Sequence, residues 1–368
     1  MKLLSLSLDG SIFDDASLLE KKTIEYANMV DAYYIIAPYK INTKKVISEK
    51  LTVYGVTSSN KLFLYFKIWA LTIKVCQRKK CELISTQDPF EFGLIAYFMK
   101  LFYDLKWHCQ EHGDFFSQKY WKEEKGLNAF RYYLGKFLIK RADSIRVVSK
   151  RTKEYLVNNL RINSEKIINV PVYTEIPDIN FAHELGVKSE FVFLNMGRFV
   201  AQKNIFLLLE AFRELKKQVE NVKLVLIGKG ELEEVIQNKI IDLGILENVT
   251  IKDWTDDIWQ EYAQADAYVL SSNYEGWGRV VVEAVIARLP VVMTDVGCAN
   301  ELIKNEKSGL VVPVQDKDEL VRAMLWLIKD SSLRRKLVDC ASEELKKLPN
   351  KQETLDLYKK SWKKALNE

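Results

Sequence analysis

From end to end the chain alternates short β-branched or apolar runs with longer segments of helical periodicity, and this alternation restricts the fold more than any single motif does. In the first half the candidate strands are KLLSLSL (2–8), AYYIIAPY (32–39), LTVYGVT (51–57), CELISTQ (81–87), WHCQEH (107–112) and SIRVVS (144–149). A second series follows with FVFLNMG (191–197), KLVLIG (223–228), VTIKDW (249–254), AYVLSS (267–272), VVMTDVG (291–297) and GLVVPV (309–314). Strands separated by helices pair mostly in parallel, with helices covering both faces. Between the two series, INVPVYTEIPDINFAHELG (168–186) loses periodicity and carries two prolines, so a domain boundary is expected there. A chain of 368 residues is long for one core. The expectation is therefore two doubly wound α/β domains: residues 1–172, a linker at 173–186, and residues 187–352. A last helix at about 353–368 is expected to pack back on the first domain.

Charge divides unevenly between the halves. Residues 1–180 carry 28 Lys+Arg against 20 Asp+Glu, a net +8, while the remainder is net −3. Such a balance suits an anionic membrane or a phosphorylated ligand as well as solvated lysines, and nothing in the pattern points to nucleic acid. Five scattered cysteines (Cys76, Cys81, Cys109, Cys298, Cys340) without a C-x-x-C fit a reduced, cytoplasmic setting. The opening MKLLSLSLDG reads as a first strand and not as a signal peptide. The most membrane-like stretch, KLFLYFKIWALTIKVCQRKK (61–80), is interrupted by Lys67 and Lys74, short of the roughly 18 apolar residues a spanning helix needs. As a helix it places Lys67, Lys74 and Arg78 on one stripe beside a broad apolar face. That face suits a core helix or a peripheral contact with anionic lipid at the cytoplasmic side.

His108, Glu111 and His112 in KWHCQEHGDFF spell H-x-x-E-H, a zinc-site pattern when it lies on a helix. The stretch follows EFGLIAYFMKLFYDL and stops at Gly113, which leaves a strand length. On a strand, residues four apart are separated by about 13 Å, too far to share one ion. The reading is no metal site, with His108 inside the strand and His112 at its end.

Two junctions carry more chemistry. In NMGRFVAQKN (195–204) a strand ends at Gly197, and Arg198 and Lys203 flank the start of a helix whose free N–H groups favour anions. Two cations there suit a diphosphate, and a turn glycine with solvated cations reads equally well. In SSNYEGWGRVVVEAVIARLPVVMTDVG (271–297), Glu275 sits in a Gly-rich loop and Glu283 lies eight positions on. Gly276 and Gly278 let backbone approach a ligand closely. The run RVVVEAVI is β-branched and reads as a strand or as a helix until tertiary context decides.

The E-x7-E spacing of Glu275 and Glu283, with GRFVAQKN and IGKGELEEVI (227–236), resembles the retaining glycosyltransferases of family 4. The resemblance spans the chain and is most specific in the second half. It implies the GT-B fold, two Rossmann-like doubly wound domains facing each other across a deep cleft. It also implies that Arg198 and Lys203 hold the diphosphate of a nucleotide-sugar donor and that Gly197 lets the turn approach. Glu283 would bind the ribose, and Glu275 with the amides of Gly276, Trp277 and Gly278 would face the donor sugar and phosphate. The backbone near Trp254 would cradle the base, and Gly10 would lie near the phosphates. His112 would approach the transferred sugar, and Asp88 and Asp114 would stand on the acceptor side. Two departures stand out: LDGSIFDD has one glycine where many relatives have two, and Arg279 occupies a place usually small or apolar, where it could add a phosphate contact or face solvent. His183, in the linker, matches no role.

The family's chemistry implies transfer with retention to a glycan, lipid-linked or small-molecule acceptor, as in polysaccharide or glycoconjugate synthesis. No enzyme nucleophile, cofactor or metal is implied, because Arg198, Lys203 and helix N-termini supply the charge and positioning. A nucleotide-sugar epimerase of the same fold and a non-catalytic sugar-nucleotide binding protein are the alternatives.

Overall fold

The computed structural model describes residues 1–117, 119–179, 181, 190–255 and 257–368. The expected linker at 173–186 falls partly outside the described residues, as do His183 and Asp256. The described chain forms two α/β units. One comprises Met1–His112, Gly126–Val170 and Lys351–Glu368, and the other Gly113–Lys125 and Pro171–Asn350.

The first unit is built on β1 (Lys2–Leu6), β2 (Ala32–Pro38), β3 (Thr43–Val46), β4 (Leu51–Val56), β5 (Leu83–Thr86), β6 (Lys106–Glu111), β7 (Ser144–Val147) and β8 (Ile167–Asn169). Their order is β3-β4-β2-β1-β5-β6-β7-β8. The central strands are buried on both faces, which explains their near-continuous apolar runs. The edge strand β3 runs antiparallel to β4, and its TKKV sequence keeps lysines on an exposed edge. Neither β3 nor the three-residue β8 is visible in the hydropathy pattern, since one is polar and the other too short.

The helix Lys351–Ala365 completes this unit's core. Trp362 and Tyr358 pack with Tyr26, Tyr33, Leu3 and Val170, and the Ser144 hydroxyl donates to the Ser361 carbonyl at 2.7 Å. The chain therefore returns to its first unit after building the second.

The second unit is built on β9 (Phe191–Met196), β10 (Val222–Ile227), β11 (Val249–Lys252), β12 (Ala267–Leu270), β13 (Val291–Thr294) and β14 (Leu310–Val312). All pair in parallel in the order β11-β10-β9-β12-β13-β14. Counted within the unit this is 3-2-1-4-5-6, the Rossmann order, and its topological switch point lies between β9 and β12. In the first unit the order likewise reverses between β1 and β5. Ligand crevices of such sheets form outside the strand C-termini at these points.

RVVVEAVI is a helix, Arg279–Ile286. Gly278 precedes it at φ +86°, a left-handed conformation that costs little only without a Cβ. Val281, Val282, Val285 and Ile286 are buried, and the helix packs on β12, β13 and the helix Ser331–Leu345. Burial of four apolar side chains, at about 1.5–3 kcal/mol each, outweighs the tenths of a kcal/mol per residue by which valine disfavours helix.

Candidate active site

The loops leaving β9 and β12, on either side of the switch point, are tied together by hydrogen bonds. Asn195 Nδ2 donates to Val269 O at 2.7 Å, which joins the two strands near their ends. The Asn273 amide donates to Gln202 O at 2.8 Å, Gln202 Nε2 to Tyr274 O at 3.0 Å, and Ser271 Oγ to Lys203 O at 2.9 Å. Lys203 and Glu275, 72 residues apart, meet at this seam: Lys203 Nζ lies 2.5 Å from Glu275 Oε1, with side chains only 14% and 9% exposed. Ser272 Oγ donates to the same oxygen at 2.8 Å. Oε1 thus takes both donors, leaving Oε2 as the free acceptor of the carboxylate.

Gly197 lies against this pair, and a Cβ there would meet Lys203 Cε at 3.1 Å. Behind it sit Gly228 and Gly230, which the sequence motifs did not single out as site residues. Gly228 has φ +153°, and a Cβ on it would fall 1.9 Å from the Gly197 carbonyl oxygen. A Cβ on Gly230 would lie 2.3 Å from the Phe199 carbonyl oxygen. The turn that carries Arg198 therefore rests directly on the loop after β10. Arg198 is exposed, and no hydrogen bond or ion pair engages its side chain among the described residues, so its guanidinium is available to a ligand.

Beyond Gly278, the helix Arg279–Ile286 aims Glu283 inward, 4% exposed. Arg279 Nε sits 2.8 Å from Glu283 Oε1, and Tyr262 Oη donates to Oε2 at 3.1 Å. Burial raises the pKa of Glu283, and Arg279 and Tyr262 work against that rise. Arg279 is 57% exposed and spends its guanidinium on Glu283 as an i,i+4 partner. Each carboxylate oxygen keeps a further lone pair for a hydroxyl donor.

Gly276 and Trp277 are buried. The Trp277 carbonyl accepts from the Cys298 amide at 2.8 Å, and its indole N–H has no protein partner among the described residues. Gly297, φ +57°, permits this packing, since a Cβ there would lie 2.5 Å from the Trp277 carbonyl oxygen. Trp254 follows β11 and is 55% exposed, an open aromatic face.

The stretch Gly113–Lys125, placed by sequence in the N-terminal domain, belongs with the second unit. Glu124 accepts a hydrogen bond from the Tyr274 hydroxyl, next to Glu275. Burial first, and then this carboxylate, push the Tyr274 pKa upward. Asp114 is buried in a left-handed conformation, and Ser117 Oγ donates to its Oδ2 at 2.5 Å.

In the first unit, Gly10 and Asp88 follow β1 and β5, the strands flanking that sheet's switch point. A Cβ on Gly10 would lie 2.7 Å from the Pro38 carbonyl oxygen, so the turn requires its glycine. Gly10, Ser11, Tyr39, Lys40 and Ser58 line part of a cavity of about 540 Å³ at this edge. Leu8 N donates to Gln87 Oε1 at 3.1 Å, which links the two loops. Asp88 accepts from the Phe90 amide at 2.7 Å. Burial nonetheless pushes its pKa up to about 7, with Glu91 adding to the rise.

His108 is buried in β6 with Nδ1 2.8 Å from Ser85 Oγ, and burial lowers its pKa to about 3. His112 lies just past the strand with its side chain exposed. Desolvation, and then the Arg146 guanidinium, push its pKa down to about 4. Part of the ring stays accessible, so its desolvation is incomplete. Both influences nevertheless act in the same direction and leave a neutral imidazole at pH 7. Among the described residues no cluster of His, Cys, Asp and Glu is arranged to hold a metal ion.

The chain is similar in sequence and in fold to known proteins. Residues 178–344 match the sequence model of the family Glycosyl transferases group 1. The N-acetylgalactosamine-N,N'-diacetylbacillosaminyl-diphospho-undecaprenol 4-alpha-N-acetylgalactosaminyltransferase of Campylobacter jejuni is 26% identical over 289 residues, covering 76% of each chain. Sucrose-phosphate synthase from Thermosynechococcus elongatus superimposes with a TM-score of 0.77 at 18% identity, covering all of both chains. Anabaena HepE in complex with UDP-glucose superimposes with a TM-score of 0.74 at 17% identity, again over both whole chains. The fold is GT-B.

Proposed function

We propose, from the match of residues 178–344 to the model of the glycosyl transferases group 1, that this chain transfers a sugar from a nucleotide-diphosphate donor to a lipid-linked or polysaccharide acceptor. The observation that carries the reading is the buried Lys203–Glu275 pair between the loops leaving β9 and β12, on either side of the switch point, with Glu283 buried in the helix that follows. Diphosphate chemistry suits that set. Arg198 and Lys203 neutralise the charge that grows on the leaving diphosphate, and the Glu275 oxygen left open accepts from a sugar hydroxyl. Glu283, held in place by Tyr262 and Arg279, accepts from the ribose, and Trp254 offers a face to the base.

In this reading the transfer keeps the anomeric configuration and follows a front-face path, as in family 4. The site then needs no nucleophile. The diphosphate oxygen takes the acceptor proton, and fixed cations supply the charge a divalent ion would otherwise bring, so the route requires no metal. His112, neutral at pH 7, acts as a hydrogen-bond partner to the transferred sugar. Asp88, with its pKa near neutrality, and the buried Asp114 stand on the acceptor side. The name of the Campylobacter relative, an enzyme acting on a diphospho-undecaprenol substrate, favours a lipid diphosphate acceptor.

Thermal shift with a panel of nucleoside diphosphates tests the donor site. One member at a hundred times its Kd should add about 2.7 kcal/mol of stability. Arg198→Ala and Glu283→Ala should abolish the shift while the unliganded melting temperature of Arg198→Ala stays put. A panel with no stabilising member, or an unaltered shift in both variants, would contradict the reading.

A further inference from the structure

Three helices of the first unit, Lys61–Lys79, Glu91–Tyr103 and Gly126–Ile139, pack side by side, the middle one touching both others. Each leaves large apolar side chains in water: Leu62 is 81% exposed, Phe102 71% and Phe130 63%, with Phe63, Phe66 and Phe137 about half exposed. Singly these would be unremarkable, but Phe63, Phe66, Phe102 and Phe137 are joined through neighbouring rings. Ring contacts run from Phe63 to Phe66, to Trp69, to Phe98 and on to Phe102. A branch passes from Phe98 through Tyr97 to Phe137.

Charge decides what covers this face. The three helices carry eight Lys and Arg and one carboxylate, Glu91, which is itself paired with Arg131. The cations lie among the rings. Lys67 Nζ sits 5.1 Å from the Phe63 centroid and the Arg141 guanidinium 3.4 Å from that of Phe137. Along the first helix the exposed stripe changes from Leu62, Phe63 and Phe66 to Lys74 and Arg78. A second copy docking by a two-fold axis would set this basic surface against itself, which is electrostatically unfavourable. Apolar rings flanked by a surplus of cations, with Asp104 at the end of the middle helix as the one exposed acid beside them among the described residues, match the interface of a bilayer containing anionic lipid. Among the described residues no helix is long and apolar enough to cross a membrane.

We propose that the combined face of these three helices is a monotopic docking surface for an anionic phospholipid bilayer, with the aromatic rings inserted at headgroup depth and the lysines and arginines on lipid phosphates. The contact does not depend on the donor assignment. It is tested by co-sedimenting the full-length protein with phosphatidylcholine vesicles made with and without phosphatidylglycerol, at low and high salt. Wild type should bind the anionic vesicles at least roughly tenfold more tightly than the neutral ones, and salt should weaken the binding. Phe66→Ser with Phe102→Ser should cut it by a further factor of about ten. Lys74→Glu with Arg78→Glu, at exposed positions where folding is not at stake, should remove the preference for phosphatidylglycerol; unchanged thermal melts identify folded variants. Equal binding to both vesicles, no binding, or unchanged binding by the folded charge variant overturns the proposal. So does a dimer in light scattering that the aromatic variant abolishes, because the face would then be an interface between copies of this chain.

Discussion

Lys203→Met removes one charge of the best-enclosed ion pair at the candidate site while keeping most of the side-chain volume. Lys203 and Glu275 are 14% and 9% exposed, and Glu275 Oε1 keeps only Ser272 as a donor once the ammonium is gone. Stranding one partner of a fully buried pair costs about 3–5 kcal/mol. The residual exposure and the remaining Ser272 bond reduce that to about 2–3 kcal/mol. For a unit of this size each kcal/mol moves the melting temperature by about 2–4 °C, so a drop of roughly 4–12 °C is expected. Glu275→Gln in the Lys203→Met background removes the stranded charge and should recover about half of the loss, a coupling of ~1–2 kcal/mol in a double-mutant cycle. The assay is thermal and urea unfolding of wild type, both single variants and the double variant, with nucleoside diphosphate binding measured alongside. If Lys203→Met melts within about 1 °C of wild type and the cycle shows no coupling, then the pair does not hold the seam between the two loops.

Other expectations come from the same geometry. Gly228→Ala forces a Cβ onto the Gly197 carbonyl oxygen at a φ of +153°, and should cost several kcal/mol, read as lost soluble yield or a much lower melting temperature. Asp88 has a folded pKa of about 7 against an ordinary 3.8, so the native state holds a proton that the unfolded chain releases as pH rises between those values. Stability should therefore fall as pH rises from about 4 to 7, by on the order of a few kcal/mol. Asp88→Asn, which keeps an acceptor for the Phe90 amide, should flatten that slope and be more stable than wild type at pH 8; equal slopes in a urea-by-pH series would count against the burial argument. Arg279→Met takes away the cation that opposes the rise in the Glu283 pKa. Its affinity for a nucleoside diphosphate, measured by calorimetry, should fall more steeply than wild type as pH drops below neutrality. Parallel pH profiles would place Arg279 outside that interaction.

The parts of this molecule that are legible in the sequence are those where one residue type has one physical use. Central strands such as AYVL and VVMT are almost wholly apolar because helices cover both faces of their sheet, and they start where the pattern puts them and end two or three residues earlier. The polar edge strand β3 carries no such signature. RVVVEAVI reads equally well as a strand because its helicity comes from what it packs against, with Gly278 starting it, and not from its own propensity. At the site, Lys203, Glu275 and Glu283 stand out by chemistry and spacing. Ser272 and Tyr262, which orient the two carboxylates, do not, since a hydroxyl's partner is a tertiary fact. Gly228 is needed because one loop lies on another, which no local pattern records. The same holds for Glu124 and the stretch around it, whose place beside Tyr274 crosses 150 residues of sequence.

Sugar transfer from a nucleotide donor, the claim on which the other assignments depend, is tested by following purified protein, a panel of nucleotide-diphosphate sugars and a diphospho-lipid acceptor by NMR. One donor should be consumed only when acceptor is present, and the product should keep the donor's anomeric configuration. Conversion of donor without acceptor would point to an epimerase, an inverted product would remove the front-face path, and binding without turnover across the panel would contradict the claim itself.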